Sequence, residues 1–200
     1  KIEIKEFGGP EVLEIKNVDI GKPGQNEVLV KNLSIGINYI DTYHRSGLYP
    51  IPLPSGIGLE ACSIIEEVGS EVKLFKVGDR VTRASMPIGT YSEKQIIPED
   101  KLVKVPDNIS DEVASCITLK GITAEYLLHR TYQVKKGDKI LYHAAAGALG
   151  QIFCPWANAL GAEIIGTVGS DEKIEIAKKN GCHHIICLLY TSPSPRDNTG

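Results

Sequence analysis

The sequence predicts an α/β protein, in which a β-rich first half precedes the beginning of a doubly wound parallel sheet. Two observations support this fold class. Short strand-like runs separated by glycine and proline fill the first half of the chain. From Lys139 onward, apolar runs alternate with amphipathic helical segments, as in parallel sheets covered by helices. We therefore expect one domain over 1–115, a second over 116–186 and a segment of different character over 187–200.

The first domain is expected to consist of short strands joined by turns. Glycine and proline mark the turns, as at Gly8-Gly9-Pro10, and Pro98 interrupts one of the runs. Ser110 is a suitable N-cap for a helical bridge into the second domain. The predicted strands span 2–7, 12–20, 27–37, 61–68 and 91–105, and the predicted helical segments span 110–118 and 123–132.

The second domain has the order strand, helix, strand, helix, strand. Its predicted strands span 139–142, 162–168 and 181–186, and its predicted helices span 151–161 and 171–180. This order is typical of a parallel sheet with helices on its faces. Apolar residues recur on one face of the first helix, which predicts that this face is buried; they are Ile152, Phe153, Trp156, Ala159 and Leu160.

The stretch HAAAGALG, from His143 to Gly150, predicts a turn of small residues between a strand and a helix. Such turns bind a dinucleotide pyrophosphate on free backbone N–H groups, with the fingerprint G-x-G-x-x-G. Here Ala145 takes the first position, where alanine tolerates a tight turn less well than glycine. A purely structural turn is the alternative. The expected pyrophosphate site consists of Ala145, Gly147, Ala148, Leu149 and Gly150.

The end of the second predicted strand of this domain indicates which cofactor is bound. An acidic residue there would accept the ribose hydroxyls of NAD. This chain instead has Gly169 and Ser170, followed by Lys173, and such groups suit the 2′-phosphate of NADPH. Asp171 lies one residue beyond Ser170, and a solvated helix charge is the alternative for Lys173.

Composition excludes several classes of function. The chain is 42% hydrophobic, enough for a real core, and its net charge of −3 gives no electrostatic footprint for nucleic acid. No apolar run reaches the ~18 residues of a membrane span. The five cysteines contain no C-x-x-C pair, so we expect reduced, mostly buried thiols and a cytoplasmic location. Ordinary hydrogen-bonded side chains are expected for His44, His129 and His143.

Six motifs occur along the chain in one order: GGPEVL, SIGINYIDTYHRSGLYP, PSGIGLEACSIIEEVG, VGDRV, LKGITAEYLLHRTY and HAAAGALG. In this order they resemble the zinc-independent quinone oxidoreductases of the zeta-crystallin type, within the medium-chain dehydrogenase/reductase superfamily. The resemblance covers Lys1 to about Ile186. It implies a GroES-like catalytic domain beside a Rossmann domain, with NADPH between them, a quinone or enone as small-molecule substrate, and a homodimer when the protein is full length.

The resemblance also predicts a site without metal. Zinc dehydrogenases of the same superfamily carry a cysteine and a histidine where this chain has Asn38 and Leu59. An amide oxygen is a poor zinc ligand and leucine is none. Glu60 remains, but one carboxylate does not hold the ion.

The resemblance further implies roles for residues of the first domain and of the linking helix. Asn38, Tyr39 and Ile40 border the nicotinamide, Tyr43 and Tyr49 line the acceptor pocket, and Asp41 orients a water, a hydroxyl or the ribose. A hydrophobic loop anchor is the alternative for the tyrosines. Thr123 lies near the carboxamide and Tyr126 near the ribose, although either could be a cap or core residue.

The expected activity is NADPH-dependent reduction of quinones by hydride transfer without zinc. Preplaced hydrogen-bond donors would stabilise the negative charge that develops on the acceptor oxygen. An enoyl-thioester or 2-alkenal reductase is an alternative within the enzymes. A sensor or structural protein that binds NADPH without catalysis is an alternative outside them.

The composition changes abruptly after Ile186, to CLLYTSPSPRDNTG. Pro193 and Pro195 cannot donate to a sheet, which predicts an extended tail. The family continues here with an Asn-Tyr pair, so Tyr190 is not assigned a cofactor role. The tail resembles translated adapter sequence joined to a truncated reading frame. We therefore expect these 200 residues alone to be poorly soluble and inactive.

Overall fold

A computed structural model of the protein describes residues 1–190, and the chain separates into two compact units. The first unit is Lys1–Leu119, and the second begins at Lys120, four residues after the start predicted for the second domain. Most of the predicted tail, residues 191–200, lies outside the described residues.

The described part of the first unit contains two antiparallel sheets. The larger has the order β7-β3-β5-β6-β8, and the smaller has the order β2-β1-β4. The β-rich first half predicted from the sequence is therefore confirmed. The strands are β1 (Ile2–Ile4), β2 (Glu14–Ile15), β3 (Glu27–Gly36), β4 (Ser55–Gly56), β5 (Glu60–Val68), β6 (Arg80–Ala84), β7 (Lys94–Pro98) and β8 (Val103–Lys104), and helix α1 spans Tyr39–Ser46.

One long strand predicted in this unit is wrong, and a second is divided at Pro98, where the sequence predicts an interruption. The strand expected over 12–20 shrinks to β2, because Val12 ends a 3-10 turn that begins at Pro10 and because residues 16–20 join no sheet. The strand expected over 91–105 splits into β7 and β8. Pro98 ends the first piece, since proline cannot donate to a ladder, and a 3-10 turn over Glu99–Lys101 follows it.

The core of the larger sheet is aliphatic. Val28 and Val30 on β3, Ile65 on β5, Val81 on β6 and Ile97 on β7 are all at most 1% exposed. Burial of each such side chain is worth about 1.5–3 kcal/mol. The β3–β5 pair is the longest of the ladders and contains two register shifts, so it bends toward its far end. The candidate site of this unit follows Gly36, at the C-terminal end of β3.

The second unit contains a parallel sheet of the order β11-β10-β9. The α/β fold class, with a parallel sheet in the second half, is therefore confirmed. Helix α2 enters this unit from the first and runs without a break through Gly121, which corrects the two separate segments predicted. The elements are α2 (Asp111–Tyr126), a π turn (Leu127–Thr131), β9 (Lys139–Tyr142), α3 (Gly150–Ala159), β10 (Glu163–Val168), α4 (Ile174–Lys179) and β11 (His184–Cys187).

Helix α3 supplies much of the second core. Its buried residues are Gly150, Phe153, Cys154 and Ala157, whereas the sequence predicts a face that includes Ala159. Ala159 is exposed, so the buried face is rotated toward Cys154. Predicted helix 171–180 also differs, because Asp171–Lys173 forms a 3-10 turn before α4 begins.

All five cysteines are free thiols. Three of them are buried, which raises the pKa of the Cys62 thiol to about 11 and that of Cys154 to about 12. Cys116 is exposed. In the part of the chain that the structure describes, no helix has both the length and the apolar composition to cross a bilayer.

Gly150 allows α3 to start directly against the preceding turn. A Cβ on Gly150 would lie 2.7 Å from the carbonyl carbon of Ala145, so the Gly150→Ala variant must shift backbone. We expect Gly150→Ala to lower the free energy of unfolding by about 1–3 kcal/mol. Gly121→Ala in α2, where a Cβ meets nothing within 4 Å, is the control and should stabilise by about 1 kcal/mol. Denaturant titration of both variants measures this, and equal effects would refute the packing role.

Candidate functional site

The loop after β3 begins helix α1 with its own cap. Asn38 is extended, with φ −127° and ψ 147°, and its backbone N–H donates to Asp41 Oδ2 at 2.9 Å. Asp41 is the third residue of the helix, where a carboxylate also interacts favourably with the helix dipole. Gly47 ends α1 in the left-handed region at φ 80°. This short helix therefore presents its N-terminal residues in one fixed arrangement.

A buried carboxylate holds the side chain of Asn38. Glu60, at the start of β5, is 0% exposed, and its Oε2 accepts from Asn38 Nδ2 at 2.9 Å. Its Oε1 accepts from the backbone N–H of Leu119 at 2.7 Å. Next to this carboxylate is Gly36, where a Cβ would lie 3.1 Å from Oε2 and would overlap the carbonyl oxygen of Ser115. Glycine at the end of β3 therefore lets three segments meet.

A second buried network surrounds Asp41. The Tyr91 hydroxyl donates to Asp41 Oδ2 at 3.0 Å. Burial raises the pKa of Asp41, although the Asn38 N–H and the Tyr91 hydroxyl oppose that effect. The pKa of Tyr91 is raised too, by burial and by the adjacent carboxylate. Among the described residues, three buried atoms have no hydrogen-bond partner: Asp41 Oδ1, His44 Nδ1 and Thr90 Oγ1.

The three histidines predicted to be ordinary hydrogen-bonded side chains differ from one another. His44 does not fit this prediction, because its Nδ1 is one of those unpartnered buried atoms. His143 Nδ1 lies 3.1 Å from Thr167 Oγ1, as expected of a hydrogen-bonded ring. The ring of His129 packs against Trp156 at a centroid distance of 5.4 Å.

Three tyrosines form an edge-to-face row on α1 and the following loop. Ring centroids lie 5.3 Å apart for Tyr39 and Tyr43, and 5.2 Å apart for Tyr43 and Tyr49. Tyr39 is 76% exposed and Tyr49 is 51% exposed. An anchor that is buried in a core would not show this exposure, so the row also offers aromatic surface to a ligand. Ile40 lies beside it on α1 and is half-buried.

In the second unit, the turn after β9 is strained at one alanine. Ala144 has φ 55°, a left-handed conformation that costs a non-glycine residue about 1–2 kcal/mol. The sequence predicts the tight position at Ala145 instead. Ala145 is fully buried, and its N–H donates to the carbonyl of Thr167 at 3.0 Å, which ties the turn to β10.

Three backbone N–H groups at the start of helix α3 make no hydrogen bond outside the helix within the described residues. Gly147 N–H closes the turn on the Ala144 carbonyl, and Gln151 is the next residue whose N–H finds an acceptor. Within residues 1–190, the N–H groups of Ala148, Leu149 and Gly150 contact no backbone or side-chain acceptor outside the helix. Successive free N–H groups at a helix N-terminus form an anion site.

The residues predicted to distinguish NADPH from NAD follow β10. Gly169 is exposed, Ser170 Oγ donates to Glu172 Oε1 at 3.3 Å, and Lys173 is exposed. The acidic group nearby, Asp171, accepts from the Tyr190 hydroxyl through Oδ2. Because β9 and β10 are parallel, this segment and the turn of Ala145–Gly150 follow the same edge of the sheet.

The structure thus groups the predicted residues into two sets. Those from Asn38 to Tyr49 lie together on the first unit, and those after β9 and β10 lie together on the second. Thr123 and Tyr126 are separate from the latter set, on helix α2, with Tyr126 42% exposed. Sequence reasoning missed Tyr91 and the contact of Glu60 with Asn38. An acidic residue inside the apolar run LEACSII was a signal for the latter.

Known proteins resemble this chain over most of its length. Residues 24–107 match the alcohol dehydrogenase GroES-like domain. A quinone oxidoreductase of Pseudomonas aeruginosa is 51% identical over 197 residues, which are 98% of this chain and 61% of the relative. The crystal structure of Escherichia coli quinone oxidoreductase complexed with NADPH matches with a TM-score of 0.92 at 48% identity, over 96% of this chain and 59% of that one. The chain belongs to the quinone oxidoreductase family of medium-chain dehydrogenases/reductases.

The family also contains a reductase of another substrate. A 2-haloacrylate reductase of Burkholderia is 47% identical over 92% of this chain and 57% of its own length. The chain therefore spans about three fifths of the curated relatives that it matches.

The side chains at the zinc positions do not fit a metal. Leu59 is buried and carries no donor atom. The Asn38 side chain donates to Glu60, so its NH2 group lies toward the carboxylate where a cation would have to bind. In the described range, no three His, Cys, Asp or Glu side chains are grouped as metal ligands.

Asp41 gives the family site a pH dependence that stability measurements can detect. Because burial raises its pKa, the folded protein keeps this proton to higher pH than the unfolded chain does. The contribution of Asp41 to stability is therefore highest below its ordinary pKa and falls as the pH rises through the folded value. Asp41→Asn keeps an oxygen acceptor, so its melting temperature should improve relative to the parent between about pH 4 and pH 7. The exposed Asp107→Asn is the control, and a constant difference for both variants would contradict this assignment.

Proposed function

We propose that the protein reduces quinones by hydride transfer from NADPH, without zinc. The observation that carries this proposal is the row of free N–H groups of Ala148, Leu149 and Gly150 at the start of α3. A pyrophosphate fits such a group of donors, and Gly150 could not carry a Cβ there without a backbone shift. The NADPH in the related Escherichia coli structure supports the identity of the ligand.

The residues after β10 fit a 2′-phosphate better than a ribose diol. Lys173 is exposed. Within the described residues it forms no ion pair with Asp171 or Glu172 of its own turn, so its ammonium group can bind a phosphate. We therefore place the adenosine ribose near Gly169, Ser170 and Lys173, as predicted from the sequence.

The first unit supplies the groups for the chemistry. When bound, NADPH provides the hydride that the acceptor takes up together with a proton. The Tyr49 and Tyr43 hydroxyls would donate to the acceptor oxygen as it becomes negative. Their rings, with Tyr39, would pack on a flat conjugated substrate. Asp41 would orient this loop through the Asn38 N–H, and Thr123 and Tyr126 would bind the nicotinamide half from α2.

Two further candidates follow from the comparisons and the chemistry. The 2-haloacrylate reductase at 47% identity favours a reductase of conjugated C=C bonds, which includes enoyl thioesters and 2-alkenals. A non-catalytic NADPH-binding protein is the other candidate. The resemblance to the family leads us to propose a cytoplasmic homodimer, which light scattering and cell fractionation test.

The decisive experiment compares turnover with binding in the full-length protein. We expect Tyr49→Phe to lower kcat for quinones by about 10-fold or more, because a donor to the developing oxyanion is lost. NADPH affinity, measured by fluorescence titration, should be unchanged. Tyr132→Phe, at a tyrosine that is 60% exposed and outside the row, is the control. Faster oxidation of NADPH by conjugated acids or thioesters than by quinones would favour the reductase of conjugated C=C bonds. Tight NADPH binding without oxidation by any acceptor would favour the non-catalytic protein.

The choice of cofactor is tested separately at Lys173. We expect Lys173→Ala to weaken NADPH binding about 10-fold and to leave NADH binding almost unchanged, because only NADPH carries the 2′-phosphate. Lys179→Ala, an exposed lysine on the same segment, should change neither affinity. Equal losses for both nucleotides in Lys173→Ala would show that this lysine does not recognise the phosphate.

A further inference from the structure

A side chain at the end of helix α4 reaches the turn that precedes α3. Asn180 follows the last residue of α4, and its Nδ2 donates to the carbonyl oxygen of Ala145 at 3.0 Å. The two residues are 35 positions apart in the chain, so the fold brings them together. Asn180 has no role in the function proposed above.

The oxygen that accepts this hydrogen bond is buried. Ala145 is fully removed from solvent, and a Cβ on Gly150 would overlap its carbonyl oxygen, so this oxygen faces the first residue of α3. Among the described residues, Asn180 supplies the one hydrogen-bond donor to it. A buried carbonyl without a donor costs free energy, and the Asn180 amide removes that cost.

The direction of this carbonyl also fixes a neighbouring N–H group. The peptide bond between Ala145 and Ala146 is trans, because both cis peptide bonds of the described chain precede prolines. In a trans peptide the C=O and the N–H point to opposite sides. The Ala145 oxygen faces Asn180, so the Ala146 N–H faces the side opposite Asn180. Within residues 1–190 this N–H makes no hydrogen bond.

The other hydrogen bond of Ala145 does not set this orientation. Its N–H donates to the carbonyl of Thr167 at 3.0 Å, which holds the peptide that precedes Ala145. Rotation about the bond between Cα and the carbonyl carbon would turn the following peptide and leave the bond to Thr167 in place. The hydrogen bond from Asn180 opposes this rotation, because it would be broken.

We propose that Asn180 is a positioning residue that orients the Ala145–Ala146 peptide, so that the Ala146 N–H donates to the same pyrophosphate as the three N–H groups at the start of α3. This inference rests on the proposed function, which supplies the ligand. Backbone N–H groups close together in the chain form a concave anion site. In the opposite orientation, the Ala145 carbonyl oxygen would face the anion and repel it.

Two substitutions remove the donor in different ways. Asn180 has φ −73° and ψ 2°, a conformation that alanine and aspartate also adopt. Asn180→Ala leaves the Ala145 oxygen without a partner. Asn180→Asp keeps the shape of the side chain but, at about pH 8, places a carboxylate oxygen against that carbonyl.

We expect N180A to weaken NADPH about 10-fold in fluorescence titrations of the full-length protein, and N180D to weaken it at least as much. The matched control is Asn158→Ala, at an exposed asparagine of α3 whose side chain makes no hydrogen bond within the described residues. It should leave NADPH affinity unchanged. A folded N180A or N180D with parental affinity would overturn the proposal.

Other nucleotides separate positioning from a general loosening of α4. NADH carries the same pyrophosphate, so N180A should weaken NADH and NADPH by equal factors, unlike Lys173→Ala. Adenosine 2′-monophosphate has no pyrophosphate, and N180A should bind it as the parent does. Helix α4 begins directly after Lys173, so a loosened helix would weaken this fragment as much as NADPH. That result would contradict a positioning role.

Inorganic pyrophosphate tests the orientation without a nucleotide. In protein that carries isotopically labelled alanine, NMR observes the Ala146 amide directly. Pyrophosphate should shift its proton downfield in the parent and in N158A, because a hydrogen bond to an anion forms, but not in N180A. If the parent binds neither NADPH nor NADH, the proposed function fails, yet this shift still supports the role of Ala146. An Ala146 resonance that pyrophosphate leaves unchanged in the parent, or shifts equally in N180A, would overturn the inference.

Discussion

One carboxylate joins the segments that carry the candidate site of the first unit. Glu60 begins β5, binds the side chain of the residue that caps α1, and binds the backbone of Leu119 in α2. The end of β3 reaches the same point, and only glycine at position 36 leaves room for it beside the Ser115 carbonyl. The two oxygens of Glu60 therefore connect the start of β5 with the cap of α1 and with the backbone of α2. Removal of this side chain would leave the Asn38 NH2 and the Leu119 N–H without the acceptor they share.

The turn that follows β9 in the second unit obeys a different physical rule. This turn is built mostly from alanine and glycine, which suits the proposed binding of a pyrophosphate by the backbone itself. Ala144 accepts a left-handed conformation, and the turn is tied to β10 through Ala145 and the carbonyl of Thr167. The backbone strain at Ala144 is a small cost for a turn that leaves a row of N–H donors available.

The sequence predicted this second half well, because its signals are local. The strand at Lys139–Tyr142 matches its predicted bounds, and the small-residue turn and the order of parallel strands are where the pattern placed them. The first half was harder. Weak strands such as Glu14–Ile15 are set by pairing with a distant segment, and alternation of residues carries no information about that partner. The contacts of Glu60 and Tyr91 join positions more than twenty residues apart, so only the folded chain reveals them.

Unsatisfied polar atoms in the first unit point to a compromise between stability and function. Asp41 Oδ1, His44 Nδ1 and Thr90 Oγ1 are buried without partners in the described chain, at about 1–3 kcal/mol for each such group. Asp41 Oδ1 belongs to the carboxylate that holds the Asn38 backbone, and His44 lies one turn further along the same helix. A core selected for stability alone would replace them with apolar side chains. Two of these groups, Asp41 and His44, lie on α1, the helix capped by the proposed site residue Asn38, and departures from ordinary packing rules are common at functional sites.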